Sequence, residues 1–174
     1  MNESQASRAA GAKVPLAIRA ARPADLPAVW EMLLALAEYE RLADRVSGSV
    51  EQLGEHLFAD PRRLECIVAD RGGELVGYAL FYPTYSSFRT QPMMWLEDLF
   101  VRPEARGSGA GRALMAHLSA LVLERGAWRL SWEVLDWNQP SIEFYEHAGA
   151  RRSHPDWFTY ALDEAGLRAL AGGH

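Results

Sequence analysis

The sequence is short of several things, and each shortage excludes something. It has one cysteine, Cys66, so no internal disulfide can form and no cysteine-based zinc site exists. That usage fits a reducing, cytosolic setting. It has no excess of positive charge: 18 basic side chains stand against 23 acidic ones, a formal net charge of −5. A nucleic-acid binder ordinarily shows a basic stripe, so that class is disfavoured, while a cationic small molecule is compatible. It has no long apolar run. The longest stretches, such as Met32 to Ala37, are far below the ~20 residues that span a bilayer. No apolar segment near the N-terminus suits a signal peptide, and Met1 to Pro15 reads as a loose polar tail. The five histidines are scattered without metal-ligand spacing, so no metal is expected.

What remains is the composition of a globular domain. Apolar residues make up 49% and charged residues 24% of 174 positions, which suits one domain over residues 16–174 with a core of its own. The periodicity predicts a strand at Leu16 to Ala20 and a helix opened by Pro23 and Asp25, with Val29, Met32, Leu33 and Leu36 on one face. Ser49 with Gln52 forms a capping-box signature for a second, short helix. Cys66 to Ala69 and Leu75 to Tyr82 flank the turn Asp70-Arg71-Gly72-Gly73 as a hairpin. Further strands are expected at Trp95 to Val101, Trp128 to Leu135 and Phe158 to Leu162. Helices are expected after the glycine cluster at 107–111, over Ser141 to His147 and at the C-terminus. The order β-α-α-β-β-β-α-β-α-β is a mixed α/β domain. Cys66, in an apolar strand, reads as an inert buried thiol.

The stretch from Val101 to Arg112 carries the first chemical signal. Glycines between a strand and an amphipathic helix let backbone N–H groups close on a ligand, and the helix start adds its dipole. A P-loop would need Lys after Gly111 and finds Arg112. The dinucleotide fingerprint begun at Gly107 would need glycine at 112 and fails as well. Arg-x-x-Gly-x-Gly is satisfied by Arg106, Gly109 and Gly111. A glycine-rich turn without a ligand is the plain alternative.

Three blocks make the pattern narrower: Arg106-x-x-Gly109-x-Gly111, Trp95-Leu96-Glu97-Asp98-Leu99-Phe100-Val101, and Asp136-Trp137-Asn138-Gln139-Pro140-Ser141-Ile142-Glu143-Phe144-Tyr145. With the pair Tyr39-Glu40 in the first helix, the sequence resembles the GNAT acetyltransferase superfamily from about Ala17 to Leu162, and its diamine (spermidine/spermine) acetyltransferases in particular. The resemblance implies the GNAT fold, a mixed and mostly antiparallel curved sheet flanked by helices, whose central strands splay apart. It implies acetyl transfer from acetyl-CoA to a primary amine in a ternary complex, and a homodimer. It implies a cofactor site of Leu99, Phe100, Val101, Arg106, Gly107, Ser108, Gly109, Ala110, Gly111, Arg112, Asn138 and Ser141. Glu97 then serves the amine and Tyr145 is the general acid. Tyr39, Glu40, Trp132, Glu133 and Trp157 are further substrate-binding candidates, since aromatic faces beside carboxylates suit a cation.

Glu97 and Asp98 are neighbours on one strand, so their side chains are expected on opposite faces unless a bulge intervenes. Asp98 is therefore a candidate for holding the strand or a loop. Two departures from the polyamine pattern bear on specificity. Arg41 and Arg45 stand where acidic residues follow the Tyr-Glu pair in that subfamily, and Phe158 replaces a basic residue after the late tryptophan. A smaller amine or a lysine-like amino acid fits such a wall as well as a polyamine does. Acetylation of a peptide or protein amine, and a non-catalytic acyl-CoA-binding regulatory module, remain the alternatives.

Overall fold

The computed structural model describes residues 14–153, 156 and 158–172. The tail up to position 13, and Trp157 with it, lie outside the described residues. Five strands form one sheet in the order β1-β2-β3-β4-β5: β1 Leu16–Ala20, β2 Glu65–Arg71, β3 Glu74–Ser86, β4 Gln91–Val101 and β5 Leu130–Ser131. The first three pairings are antiparallel and β4 with β5 is parallel. The helices are α1 Leu26–Tyr39, α2 Val50–Phe58, α3 Ala110–Glu124, α4 Gln139–His147 and α5 Glu164–Ala171. This is the mixed, mostly antiparallel α/β sheet expected from the sequence. The chain divides into two compact units, up to Leu135 and from Asp136 onward.

In the first unit the local signals operate as read. Ser49 accepts a hydrogen bond from the Gln52 amide while the Gln52 side chain accepts from the Ser49 amide, closing the capping box of α2. The apolar stripe of α1 puts Val29 and Met32 at zero exposure against Tyr78, Leu80 and Phe100 of the sheet, with Leu33 and Leu36 at the edge of the same cluster. Gly77, one residue before Tyr78, faces the other way. A Cβ there would lie 3.4 Å from Leu114 Cδ1 and 2.7 Å from the Phe100 carbonyl oxygen. Successive strand residues point to opposite faces, so α1 covers one face and α3 the other. Gly77 is glycine because two strands and a helix converge on its missing side chain. Cys66 is buried in β2, and burial pushes its thiol up to about 12, so it stays protonated and unreactive.

Two strand expectations are corrected. The strand expected from Trp128 to Leu135 contracts to Leu130–Ser131, paired only through Met94 with Leu130 and Trp95 with Ser131. In the second unit no strand forms at Phe158 to Leu162; Phe158 and Tyr160 stand exposed and the segment joins no ladder. Alternation reports which way side chains face, but a strand also needs a neighbour to accept and donate its backbone bonds. The helix before it behaves as expected. Asn138 is buried and its side-chain oxygen accepts from the Ser141 amide, 3.3 Å, as the N-cap of α4. Gly149 ends that helix at φ +91°.

Candidate active site

The site in the first unit is built on β4. Arg102 N–H bonds to the Val76 carbonyl at 2.9 Å, so by alternation Phe100 and Asp98 also direct their backbone groups at β3. Leu99 and Val101 direct theirs the other way. Because β5 leaves β4 after Trp95, no strand among the described residues pairs with β4 over 97–101 on that side. The Val101 carbonyl there accepts from Arg106 Nε at 3.2 Å. The open edge therefore offers the backbone of Leu99 and Val101. Phe100, expected beside them, instead gives its backbone to β3 and its ring to the core.

The β3–β4 register slips between Leu80 and Phe81. Leu80 lies opposite Asp98 and Phe81 opposite Leu96, which leaves Glu97 as the extra residue of a bulge. This overturns the expected opposition of the two carboxylates. Glu97 Oε2 accepts from Tyr82 Oη at 3.2 Å and from Trp95 Nε1 at 3.0 Å, while Asp98 Oδ2 accepts from Tyr78 Oη at 3.2 Å. Tyr78 and Tyr82 are four apart on β3 and share a face, so both carboxylates are on that face. Glu97 is exposed and Asp98 is half-buried.

Burial, the neighbouring Glu97 charge and Glu40 push the Asp98 carboxyl up to about 6, against a smaller downward pull from the Tyr78 hydroxyl. Burial raises Glu40 as well. Glu133 is close enough to raise Tyr82. The fold thus gathers Glu40, Glu97, Asp98 and Glu133 with three aromatic residues around one strand. Tyr39 contributes differently: its ring lies 5.0 Å below the Arg106 guanidinium, joining the end of α1 to the glycine loop.

That loop leaves β4 through Pro103–Ala105 and enters α3. Gly107 and Gly109 hold φ of +73° and +89°, a conformation open to glycine and strained for other residues. Gly109 is the N-cap, with no side-chain cap, and the first helical turn carries no acidic residue. The first four N–H groups of a helix lack intrahelical partners, here those of Gly109, Ala110, Gly111 and Arg112. Arg71 Nη2 donates to Ser108 Oγ at 2.8 Å, adding a cation. Four uncapped donors, a positive dipole end and two arginines fit a pyrophosphate.

In the second unit, Tyr145 is half-buried on α4, its ring edge-on to Phe144 at 5.3 Å. Ser141 and Asn138 start that helix, so the burial of Asn138 has a structural cause in the cap. Trp132 is half-buried beyond β5. Tyr78, Tyr82, Trp95 and Arg71 went unassigned from the sequence. The two tyrosines were legible as an i, i+4 pair on one strand face, but their acceptors were not. Among the described residues no three side chains gather as metal ligands.

Comparison with known proteins agrees with this architecture. The chain is 33% identical over 165 residues to thialysine N-epsilon-acetyltransferase of Sus scrofa, covering 89% of this chain and 96% of that protein. It is 36% identical over 113 residues to an L-ornithine N5-acetyltransferase of Arabidopsis thaliana, covering 64% of this chain and 49% of that one. An integron cassette protein from the mobile metagenome of V. cholerae superposes with a TM-score of 0.73 at 25% identity, covering 90% and 97% of the two chains. The model of the acetyltransferase (GNAT) family matches residues 28–150, a span that takes in the carboxylate-bearing β4, the glycine loop and α4, and the chain belongs to that family as an acetyltransferase enzyme.

Proposed function

We propose that this acetyltransferase uses acetyl-CoA to acetylate a small primary amine, with the side-chain amine of a lysine-like amino acid favoured over a long polyamine. The observation that carries the reading is the bulge at Glu97, which puts two carboxylates on one face beside an open strand edge. A cation is held there by Glu97, with Glu40, Glu133 and aromatic faces around it. The relatives that act on thialysine and ornithine support a short diamine-like substrate. Arg41 and Arg45, adjoining Glu40 in the chain, oppose the additional charges of a polyamine.

The residues present fit acetyl-CoA. The amides of Gly109 to Arg112, with Arg106, Gly107 and Ser108, hold its pyrophosphate, and Leu99 and Val101 offer backbone groups to its acetyl and pantetheine parts. When bound, it supplies the activated acetyl thioester. Ser141 and Asn138 are proposed beside the pantetheine arm. An alkylammonium has a pKa of about 10.4, so it arrives protonated and must lose a proton. Glu97 binds that ammonium and starts the proton outward through water. Tyr145 Oη donates a proton to the departing sulfur. Trp132 and Trp157 are retained as substrate contacts. A homodimer is part of the proposal, supported by the exposed apolar side chains of Phe158 and Tyr160. No described helix is long and apolar enough to cross a membrane. We place the enzyme in the cytoplasm, with no nucleic-acid partner.

CoA release followed with a thiol-reactive dye tests this against spermidine, spermine, putrescine, lysine, thialysine and short peptides. Thialysine or lysine is expected to give the highest kcat/KM. Release with peptides alone would move the substrate to a protein, and intact acetyl-CoA binding without release would make the chain a binding module.

A further inference from the structure

Glu97 and Asp98 share a face but not an environment. Glu97 is exposed and bonded to Tyr82 and Trp95, the setting of a group that holds a cation at the solvent edge. Asp98 is set deeper. Its Oδ2 accepts from the hydroxyl of Tyr78, a side chain at zero exposure inside the α1-facing core. The Tyr78 ring is fixed by that core and packs against Phe100 at 6.4 Å between centroids. A tyrosine so confined has little freedom to re-aim its hydroxyl, and it fixes the carboxylate in turn. Among the described residues, Asp98 Oδ2 takes its hydrogen bond from a neutral hydroxyl, that of Tyr78.

We propose that Asp98 is the group that finally accepts the ammonium proton of the substrate, and that Tyr78 is the positioning residue that aims it. The proposal rests on the amine-acetylation reading above. An ammonium N–H bond breaks and an O–H bond forms on Asp98, directly or with one solvent molecule relaying the proton. The nitrogen keeps the electron pair and is left neutral and nucleophilic; the carboxylate becomes a neutral acid. The proton returns to solvent after turnover.

The groups around Asp98 agree with that role. Glu97 on its own strand and Glu40 at the end of α1 are both acidic and favour its protonated form. Cys66 on β2 feels the Asp98 charge but remains a neutral thiol. Tyr78 on β3 favours the ionised form. Arg106 lies over the Tyr39 ring and 5.9 Å from the Phe100 ring centre. The outcome is a carboxyl raised to about 6, ionised near neutrality yet a stronger base than an ordinary aspartate.

The test is the pH dependence of kcat/KM for the best amine in wild type, Y78F, D98N and E97Q. The amine titrates near 10.4, far from the acid limb, so that limb reports the carboxylate. In Y78F, loss of one long hydrogen bond raises the limb by about half a pH unit. In D98N the limb disappears and turnover falls by about 10²-fold or more. In E97Q the KM for the amine rises and the limb persists but moves to lower pH, because the neighbouring charge that raises the Asp98 carboxyl is gone. A merely structural Tyr78 would lower kcat at every pH and leave the limb in place, and that result overturns the proposal. So does a limb that moves only in E97Q. The carboxyl carbon resonance of Asp98, followed in the free protein, reads the pair without turnover: its midpoint rises in Y78F, and an unmoved midpoint overturns the assignment of Tyr78. A wild-type chain that acetylates no amine refutes the functional reading itself, whereas an active chain indifferent to Y78F and D98N refutes this proposal alone.

Discussion

Replacing Asp98 by asparagine should make the protein more stable near neutrality while disabling it. The folded state holds the Asp98 carboxyl at about 6 against an ordinary value of 3.8, chiefly because burial penalises the charge. A carboxyl raised on folding favours the folded state fully only below its unfolded pKa, and that advantage is lost as pH climbs through the folded value. Between about pH 4 and pH 6, therefore, the wild-type chain loses stability from this one site. The difference is 6 minus 3.8, about 2.2 units, which at 1.36 kcal/mol per unit sets a ceiling of about 3 kcal/mol. Asparagine stays neutral and its side-chain oxygen can accept the Tyr78 hydroxyl, but its amide brings two donors into a half-buried place. The expected net gain is about 1–2 kcal/mol at about pH 8, falling to nothing at about pH 4. Urea unfolding of both proteins at those two pH values measures it. A difference between the variants that is the same at both would refute the reasoning, because only a titrating group produces the slope. Gain of stability with loss of turnover is what a functional site held under strain produces.

Three further outcomes are expected. Tyr145→Phe should lower kcat by about 10²-fold or more with acetyl-CoA affinity unchanged, read by steady-state kinetics and calorimetry; normal turnover would remove Tyr145 as the acid. Gly109→Val places a branched side chain at φ +89°, so it should cost about 1–2 kcal/mol of stability and weaken acetyl-CoA binding in calorimetric titration. Unaltered affinity would put the pyrophosphate elsewhere. Arg41 occupies the residue after the α1 C-cap at φ 61°, where the Leu42 amide bonds back to the Ala37 carbonyl. Arg41→Gly relieves that conformation and should add about 0.5–1 kcal/mol of stability in thermal melts. It also removes a cation beside Glu40, so kcat/KM for spermidine should rise relative to thialysine; an unchanged ratio would mean that Arg41 has no part in specificity.

Much of this molecule is local and was therefore legible in order. Ser49 and Gln52 cap α2 because the box needs only residues three apart. The stripe through Val29 and Met32 marks the buried side of α1 because helical period alone decides it. Asp70 to Gly73 turn the chain, and Gly107 and Gly109 lead it into α3, because positive φ belongs to glycine. The relation between Glu97 and Asp98 was not legible. Strand alternation separates them, and only a slip in register against β3 brings them to one face. The same holds for Tyr78, whose partner lies on another strand, and for Asp98, whose raised pKa comes from burial and from acids on α1 and β4. Phe158 to Leu162 shows the converse: its alternation is intact, but no ladder among the described residues takes it in. Sequence sets what each segment can do by itself. Register, burial and the presence of a neighbour are sums over distant parts of the chain, and they decide which of those capacities become a site.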